Sequence, residues 1–517
     1  MRVWIAAIAL ALSACANPAP TTGGDQVRIA SGIVEGLGAQ TSGVRLFRGI
    51  PYAAPPTGEN RWRAPQPVAA WEGVREAKAF GPRCIPTQDF DDMVFRSAGR
   101  SEDCLTLNVW TPAREADERL PVLVYFYGGG YITGAGDEPR YDGEALAARG
   151  IVVVTMNYRL GLFGFLAHPE LTTEAPYHAS GNYAFLDHVA ALEWVRDNIA
   201  AFGGDPARVT VAGESAGSAS SSAVMLSPLT KDLIAGAIGE SGSMVGDAPP
   251  PLIYAEGQGA ALGSSIAVLR ALPAEAAMLL ARARGYSPGP IIDDYFFPKA
   301  PRDIIEAGEQ ARVPLLAGSN SEESGADGVL AGAAPTIANY RAALTRLYGA
   351  HADAVFAAYP ASGDGDPVTL AARELANDRF IGQNTWNWMD AATRTGGRNT
   401  YYYYFDQPRP PVREGMVSPY GANWVSPRGA MHSAEIEYAL GNLPGNTIYA
   451  WTETDRAVSE LMQGYFVNFV KTGDPNGEGL PAWGTYASGQ RMIIAGTSRS
   501  EADASRARYQ AMARLPR

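Results

Sequence analysis

The distribution of apolar residues along the chain predicts buried strands that alternate with amphipathic helices. Residues 120–127 and 151–155 are almost continuously apolar, as expected for parallel strands buried on both faces. Residues 182–199 place apolar side chains at helical spacing with charges between them, and residues 202–206 predict a helix stop and a turn. Further strand-like runs occur at 235–241, 313–320 and 399–405.

Residues 209–217 join a β-branched run to the pattern Gly-x-Ser-x-Gly. We interpret this pattern as a nucleophile elbow, the sharp strand-to-helix turn that exposes a catalytic serine. Gly213 and Gly217 supply the small neighbours that such a turn requires, and residues 218–226 predict the helix after it. The pattern also arises by chance in a chain with 57 glycines, but here helix, turn, strand, serine and helix follow in the required order. Ser215 is the predicted nucleophile.

Composition indicates a chain that can bury a large core. It has 517 residues, 46% of them hydrophobic, and a formal net charge of −12, which argues against nucleic acid as a partner. Residues 27–517 contain no low-complexity linker and no internal repeat. We therefore predict a single domain there.

The N-terminus predicts export. Residues 1–14 combine a short basic start with an apolar core, and Leu12-Ser-Ala-Cys15 resembles the lipobox of bacterial lipoproteins. We expect a signal peptide at 1–14, lipidation of Cys15, a flexible tether at 15–26, and attachment to the bacterial envelope through that lipid alone, which membrane fractionation checks. The alternative is an ordinary signal peptide cleaved nearby, which leaves the protein secreted.

Cys84 and Cys104 are the cysteines that remain after Cys15. In an exported protein they can form a disulfide that closes a loop of about 20 residues. Two unpaired thiols are the alternative.

Several spaced segments resemble the type-B carboxylesterases, the family that includes the cholinesterases. The segments are 47–56, Arg61-Trp62, 102–110, 157–165, 202–206 and the elbow, in the family's order. The resemblance covers about residue 27 to the C-terminus. It implies an α/β-hydrolase fold, in which helices and inserted cap segments flank a central, mostly parallel sheet. It also implies hydrolysis of carboxylic esters, no cofactor or metal, and a disulfide between Cys84 and Cys104.

A glycine triplet follows the predicted strand at 120–127. Glycines allow backbone N–H groups to approach a developing oxyanion, although a plain turn is the alternative. The resemblance implies that the oxyanion hole consists of the N–H groups of Gly129, Gly130 and Ala216. It also implies that Ser241 supports the catalytic acid.

The catalytic acid is expected on the loop after residues 313–320, where Glu322 and Glu323 are adjacent. The family's register indicates Glu323, whereas the residues alone leave Glu322 open. The fold requires the order serine, acid, histidine. Three histidines precede Ser215, and His351 lies in an apparently helical stretch, so His432 is the predicted base, in a segment that matches the family's histidine motif.

Together these residues predict a serine hydrolase that acts through an acyl-enzyme on small to medium uncharged esters. Related hydrolysis of amides, carbamates or phthalate diesters is an alternative, as is a non-catalytic surface binding protein on the same fold. In cholinesterases a tryptophan in the first disulfide loop holds the quaternary ammonium. No tryptophan lies between Cys84 and Cys104, so we expect that the protein is not a cholinesterase. Oligomeric state is left open.

Overall fold

A computed structural model of the chain describes residues 25–263, 265–421 and 426–515. The predicted signal peptide, Cys15 and nearly all of the predicted tether lie outside the described residues. Within those three ranges, no helix combines the length and apolar character needed to cross a membrane.

Of the strands in the described residues, ten form one central sheet, in the order β15-β14-β13-β12-β11-β10-β8-β9-β7-β3. Strands β8 to β14 pair in parallel, and β3, β7 and β15 add antiparallel edges. The strands are β1 (Gln26–Ile29), β2 (Gly32–Glu35), β3 (Arg45–Pro51), β4 (Val74–Glu76), β5 (Arg83–Cys84), β6 (Arg100–Ser101), β7 (Thr106–Thr111), β8 (Leu120–Phe126), β9 (Val152–Met156), β10 (Gly204–Gly213), β11 (Gly236–Glu240), β12 (Leu315–Asn320), β13 (Thr400–Phe405), β14 (Gln490–Ile494) and β15 (Arg499–Ala502).

Helices flank this sheet and connect its strands. The α-helices are α1 (Glu144–Ala147), α2 (Gly161–Phe165), α3 (Pro169–Glu174), α4 (Tyr183–Asn198), α5 (Ala216–Leu226), α6 (Leu252–Ala260), α7 (Ile266–Ala271), α8 (Ala274–Ala283), α9 (Pro301–Glu306), α10 (Asp327–Leu330), α11 (Ile337–Tyr348), α12 (Ala352–Ala358), α13 (Asp366–Asn377), α14 (Gln383–Thr395), α15 (Ile436–Leu440), α16 (Glu453–Thr472) and α17 (Arg506–Ala513). A π-helical turn, Asp378–Gly382, joins α13 to α14. Shorter 3₁₀ turns are Gly58–Asn60, Ala116–Glu118, Pro139–Tyr141, Ile199–Phe202, Gly349–His351, Leu443–Gly445 and Tyr486–Ser488.

The central strands are buried as their apolar sequences predict. In β8 and β9 every residue except Leu120 is buried, because helices cover both faces of a parallel sheet. One prediction was wrong in part. Residues 202–206 do not form a turn throughout, because β10 already begins at Gly204, and its register against β8 shifts before Val209.

The parallel strands bring their carboxyl ends to one edge of the sheet, where ligands bind in open α/β folds. The glycine triplet follows β8, Ser215 follows β10, and Glu323 follows β12. Segments distant in sequence therefore meet at this edge. A second, smaller apolar cluster lies under α10 to α13, separate from the main core.

Candidate active site

The turn after β10 is strained in the way the elbow interpretation requires. Ser215 has φ 55° and ψ −120°, a region that non-glycine residues rarely occupy, and it caps the N-terminus of α5. A Cβ added at Gly217 would lie 2.0 Å from the carbonyl oxygen of Phe126. The backbone of β8 therefore packs directly against the turn and fixes the position of Ser215.

Three side chains from distant loops form a continuous hydrogen-bonded chain. His432 Nε2 lies 3.0 Å from Ser215 Oγ. His432 Nδ1 lies 2.6 Å from Glu323 Oε2. The predicted residues Ser215, His432 and Glu323 are thus in contact, in the geometry that lets a histidine accept a proton from the serine while the carboxylate holds the imidazole.

The structure distinguishes the two adjacent glutamates. Glu323 faces His432, whereas Glu322 Oε2 accepts from the N–H of Gly429 at 2.8 Å and lies 3.3 Å from Arg373 Nη1. The side chain of Glu322 is only 16% exposed, so it is not the solvated surface charge typical of acidic loops. Glu322 tethers the loop that precedes His432.

Two groups orient the inner oxygen of Glu323. Its Oε1 accepts from the backbone N–H of Asn320 at 2.7 Å and from the hydroxyl of Ser241 at 2.5 Å. Ser241 is fully buried, with φ 53°, directly after β11. The strained turn at Ser241 therefore aims its hydroxyl at Glu323.

The glycine loop after β8 lies beside the elbow. Gly129 has φ 108°, and a Cβ there would lie 2.4 Å from the carbonyl oxygen of Thr133, so the turn requires glycine. In the described part of the chain, the N–H groups of Gly129, Gly130 and Ala216 donate to no protein acceptor. These three groups can therefore donate to a bound oxygen, as an oxyanion hole requires.

A disulfide loop supports the glycine loop from outside. Cys84 and Cys104 form a disulfide with their Cα atoms 5.0 Å apart. Within the loop that it closes, the N–H of Thr87 donates to the carbonyl of Ile132 at 2.8 Å, and Met93 Sδ lies 3.7 Å from Thr133 Oγ1. The covalent closure thus fixes a segment that holds the loop carrying Gly129 and Gly130.

Comparison with known proteins identifies the family. A model described as the carboxylesterase family matches residues 24–512. The chain is a member of the carboxylesterase family. It is 37% identical over 464 residues to fumonisin B1 esterase of Sphingopyxis macrogoltabida, across 86% of this chain and 82% of that protein. It is 34% identical over 482 residues to para-nitrobenzyl esterase of Bacillus subtilis (strain 168), across 88% of this chain and 92% of that protein.

Solved structures agree with the sequence relatives. A structure of PNB esterase matches with a TM-score of 0.79 and 30% identity, across 96% of this chain and 100% of that one. The protein is accordingly a carboxylesterase with an α/β-hydrolase fold. A non-catalytic binding protein on the same fold is no longer a competing interpretation.

In this carboxylesterase, three buried carboxyl groups surround the hydrogen-bonded chain, and sequence reasoning assigned no role to them. Glu214 Oε1 lies 3.3 Å from His432 Nε2. Glu240 Oε1 accepts from the hydroxyl of Tyr125 at 3.0 Å, and Glu435 Oε1 lies 3.1 Å from Ser241 Oγ. Their positions in the sequence, next to residues already predicted for the site, could have indicated them. Glu214 and Glu240 directly precede Ser215 and Ser241, and Glu435 follows His432 by three positions.

Burial favours the neutral form of these carboxyl groups. It raises the pKa of Glu214 to about 8 and that of Glu435 to about 7, and it raises the pKa of Glu240 well above its usual range. Carboxylates close to one another add to the effect in each case. At neutral pH, Glu214 and Glu240 therefore keep most of their protons and Glu435 keeps part of its own, which reduces the negative charge around His432.

These protons matter for the histidine. Burial lowers the pKa of His432, but Glu214, Glu323 and Glu435 outweigh burial when all three are ionised, and they then raise that pKa to about 10. A general base must be neutral before it accepts a proton. When Glu214 and Glu435 are protonated, less negative charge surrounds His432, and this favours its neutral imidazole.

One apolar ring contacts the site, and an apolar cavity lies next to the glycine loop. The ring of Phe380, on the π-helical turn, meets the imidazole of His432 edge-on with centroids 5.0 Å apart, and 50% of Phe380 is exposed. A cavity of about 260 Å³ is lined by Ile132 of the glycine loop and by residues of α8. Its walls include Leu162, Met278, Ala281 and Tyr286, with Arg282 among the lining residues.

No group of three or more His, Cys, Asp or Glu side chains in the three described ranges has the arrangement of a metal site.

Proposed function

We propose that this carboxylesterase hydrolyses small to medium uncharged esters through an acyl-enzyme formed on Ser215. The observation that carries the proposal is the contact of Ser215 Oγ with His432 Nε2 at 3.0 Å, in a turn whose backbone strain exposes the serine. Such a contact activates a hydroxyl that is a weak nucleophile alone.

In the first half of the reaction, Ser215 Oγ forms a bond to the ester carbonyl carbon as its proton passes to His432 Nε2. The carbonyl oxygen becomes an anion, which accepts hydrogen bonds from the N–H groups of Gly129, Gly130 and Ala216. The tetrahedral intermediate then collapses. Its carbon–oxygen bond to the alcohol breaks, and the leaving alcohol takes the proton from His432.

Water completes the cycle. It donates a proton to His432 Nε2 while its oxygen attacks the acyl carbon, and the second collapse returns the proton to Ser215 Oγ and releases the acid. Glu323 accepts from Nδ1 throughout, which fixes the tautomer and stabilises the imidazolium form. The negative charge of Glu323 thus offsets the cost of forming a buried imidazolium cation on His432.

The surroundings of the site support an uncharged substrate. Phe380 and the walls of the cavity beside Ile132 are mainly apolar, and an apolar pocket favours substrate groups without charge. We place the variable part of the ester, acyl or alcohol, against these surfaces.

The test is a rate comparison on matched substrates. Nitrophenyl esters of increasing acyl length should be turned over much faster than the corresponding anilides, phthalate diesters or acetylthiocholine, and Ser215→Ala should lower kcat by about 10⁴ or more while the melting temperature stays near that of the wild type. Faster turnover of amides or of acetylthiocholine would contradict the assigned substrate class. Wild-type activity in Ser215→Ala would contradict the assigned nucleophile.

A further inference from the structure

The hydroxyl of Ser241 lies between two carboxyl groups that cannot both accept its proton. Ser241 Oγ is 2.5 Å from Glu323 Oε1 and 3.1 Å from Glu435 Oε1. A serine hydroxyl carries one proton, and an ionised carboxylate only accepts hydrogen bonds. If both distances are hydrogen bonds, one carboxyl group must supply a proton of its own.

The remaining contacts decide which group carries the proton. Glu323 Oε2 faces the imidazole Nδ1, and its Oε1 already accepts from the N–H of Asn320, so each contact of Glu323 requires an acceptor. Glu435 Oε2 accepts from Asn320 Nδ2 at 2.5 Å, which leaves Oε1 to face Ser241. The position that fits a proton is therefore Glu435 Oε1.

We propose that Glu435 is a protonated positioning residue that donates from Oε1 to Ser241 Oγ and thereby commits the proton of Ser241 to Glu323. The chain of donors then runs from Glu435 through Ser241 to the carboxylate that holds His432. Glu435 acts through Ser241 and Glu323 and does not touch the substrate. The inference rests on the proposed function, since orientation of Glu323 affects turnover only if His432 is the base.

The electrostatic surroundings of Glu435 agree with a neutral group. Glu435 is fully buried. The titratable groups that act on it are Glu323 after β12, Glu240 of β11, Glu214 of the elbow, Tyr403 of β13 and His432. Burial would desolvate a negative charge on Glu435, and the carboxylate of Glu323 would repel it.

Glu435→Gln is the sharpest variant because the amide reproduces the protonated carboxyl. Its nitrogen can donate to Ser241 while its oxygen accepts from Asn320 Nδ2. We expect kcat within about threefold of wild type, and an acidic limb of the pH profile of kcat/KM that moves by less than roughly half a unit, since one neutral group replaces another. A downward shift of about one unit or more would show that the variant removed a negative charge near His432, which contradicts the proposal.

Glu435→Leu is the matched control, because it has a similar volume and no donor. It should lower kcat about tenfold with little change in KM, since Ser241 and Asn320 lose their partner. In a Ser241→Ala background, the difference between Gln and Leu at position 435 should shrink to within about twofold. A difference that stays undiminished without Ser241 would contradict transmission through that hydroxyl.

Infrared difference spectroscopy tests the proton without using activity. Wild type minus Glu435→Gln at about pH 5.5, where an ordinary glutamate is ionised but Glu435 should keep its proton, should contain the C=O band of a protonated carboxylic acid. Ser241→Ala should shift that band because the acid loses its acceptor. If Glu435→Gln does not fold, the shift of the acid C=O band in Ser241→Ala is used as the test on its own. Carboxylate bands in place of the acid band would overturn the proposal, whereas the acid band in an enzyme without esterase activity would overturn only the proposed function.

Discussion

The two halves of the candidate active site are positioned by different forces. Ser215 is held by backbone, because a strained turn packs against the end of β8 and allows no side chain at Gly217. His432 and Glu323 lie on loops and are held by side chains, through Ser241, Asn320 and the buried carboxyl groups. We refer to these as the serine half and the histidine half.

This difference determines how each half responds to change. A Cβ at Gly217 would lie only 2.0 Å from a backbone oxygen, which leaves no room for small adjustments. A side chain added in the serine half should therefore either prevent folding or have no effect. A network of hydrogen bonds and protons responds to charge and pH by degrees. Adding a side chain to the packed backbone of the serine half, as at Gly217, should therefore affect folding. Changes to the side chains that hold the histidine half should affect turnover and pH dependence.

The largest effect is expected at the serine half, from Gly217→Ala. The new Cβ would lie 2.0 Å from the carbonyl oxygen of Phe126, and its nearest neighbours are all backbone atoms of Phe126 and Tyr127, which cannot rotate away as a side chain can. The variant should therefore lose at least about 4 kcal/mol of stability or fail to accumulate in soluble form. Gly257→Ala is the control, because that glycine is exposed in α6 and a Cβ there meets nothing within 4 Å. The control should be as stable as wild type or slightly more so. Denaturant unfolding measures both, and equal stability of the two variants would contradict the steric account.

The next effect belongs to the histidine half. Glu323→Gln should leave KM nearly unchanged and lower kcat by about 10² to 10⁴, because an amide can favour the wrong imidazole tautomer and cannot balance the imidazolium. Glu322→Gln should stay within about threefold, since its amide oxygen can still accept from the N–H of Gly429. Steady-state kinetics on one nitrophenyl ester compares the pair. Reversed effects would make Glu322 the acid.

A smaller effect concerns stability against pH. The folded protein raises the pKa of Glu214 from the ordinary 4.5 to about 8, so between these values the folded state keeps a proton that the unfolded state releases. This contribution to stability is fully present below the ordinary pKa and is lost as pH rises towards about 8. Glu214→Gln has no such proton to lose, so the variant's free energy of unfolding should rise relative to that of wild type by roughly 3 to 4 kcal/mol between about pH 5 and about pH 8.

The control for this comparison is Glu193→Gln, whose side chain is half exposed on α4. Its unfolding free energy should run parallel to that of wild type over the same pH range. Parallel curves for Glu214→Gln as well would mean that Glu214 is ionised in the folded protein.

Sequence patterns predicted the serine half well because its determinants are local. Strand, glycines and helix are adjacent in the chain, and the apolar runs that became β8 and β9 reflect burial on both faces. The start of β10 was the exception. A strand beginning at Gly204-Asp205-Pro206 contradicts local turn preferences, and pairing with β8 overrides them.

For the histidine half, the sequence allowed only those predictions that follow from the order of residues in the chain and from the alignment with the family. These indicated Glu323 and His432, but not that Ser241, Asn320 and Glu435 share one network, because those residues come from three separate segments of the chain. Proton positions depend on burial, which a local pattern does not contain. The sequence does not distinguish Glu214, Glu240 and Glu435 from exposed acidic residues, and only the fold shows that they are buried.

The most direct test of the account is the identity of the residue that becomes covalently modified. An organophosphate ester should add one phosphoryl group per molecule, and peptide mass analysis should locate it on Ser215 with loss of activity in proportion to labelling. Ser215→Ala should remain unlabelled and inactive under the same conditions. Labelling of a different residue in step with inactivation, or full labelling of Ser215→Ala, would contradict the assignment of Ser215 as the nucleophile.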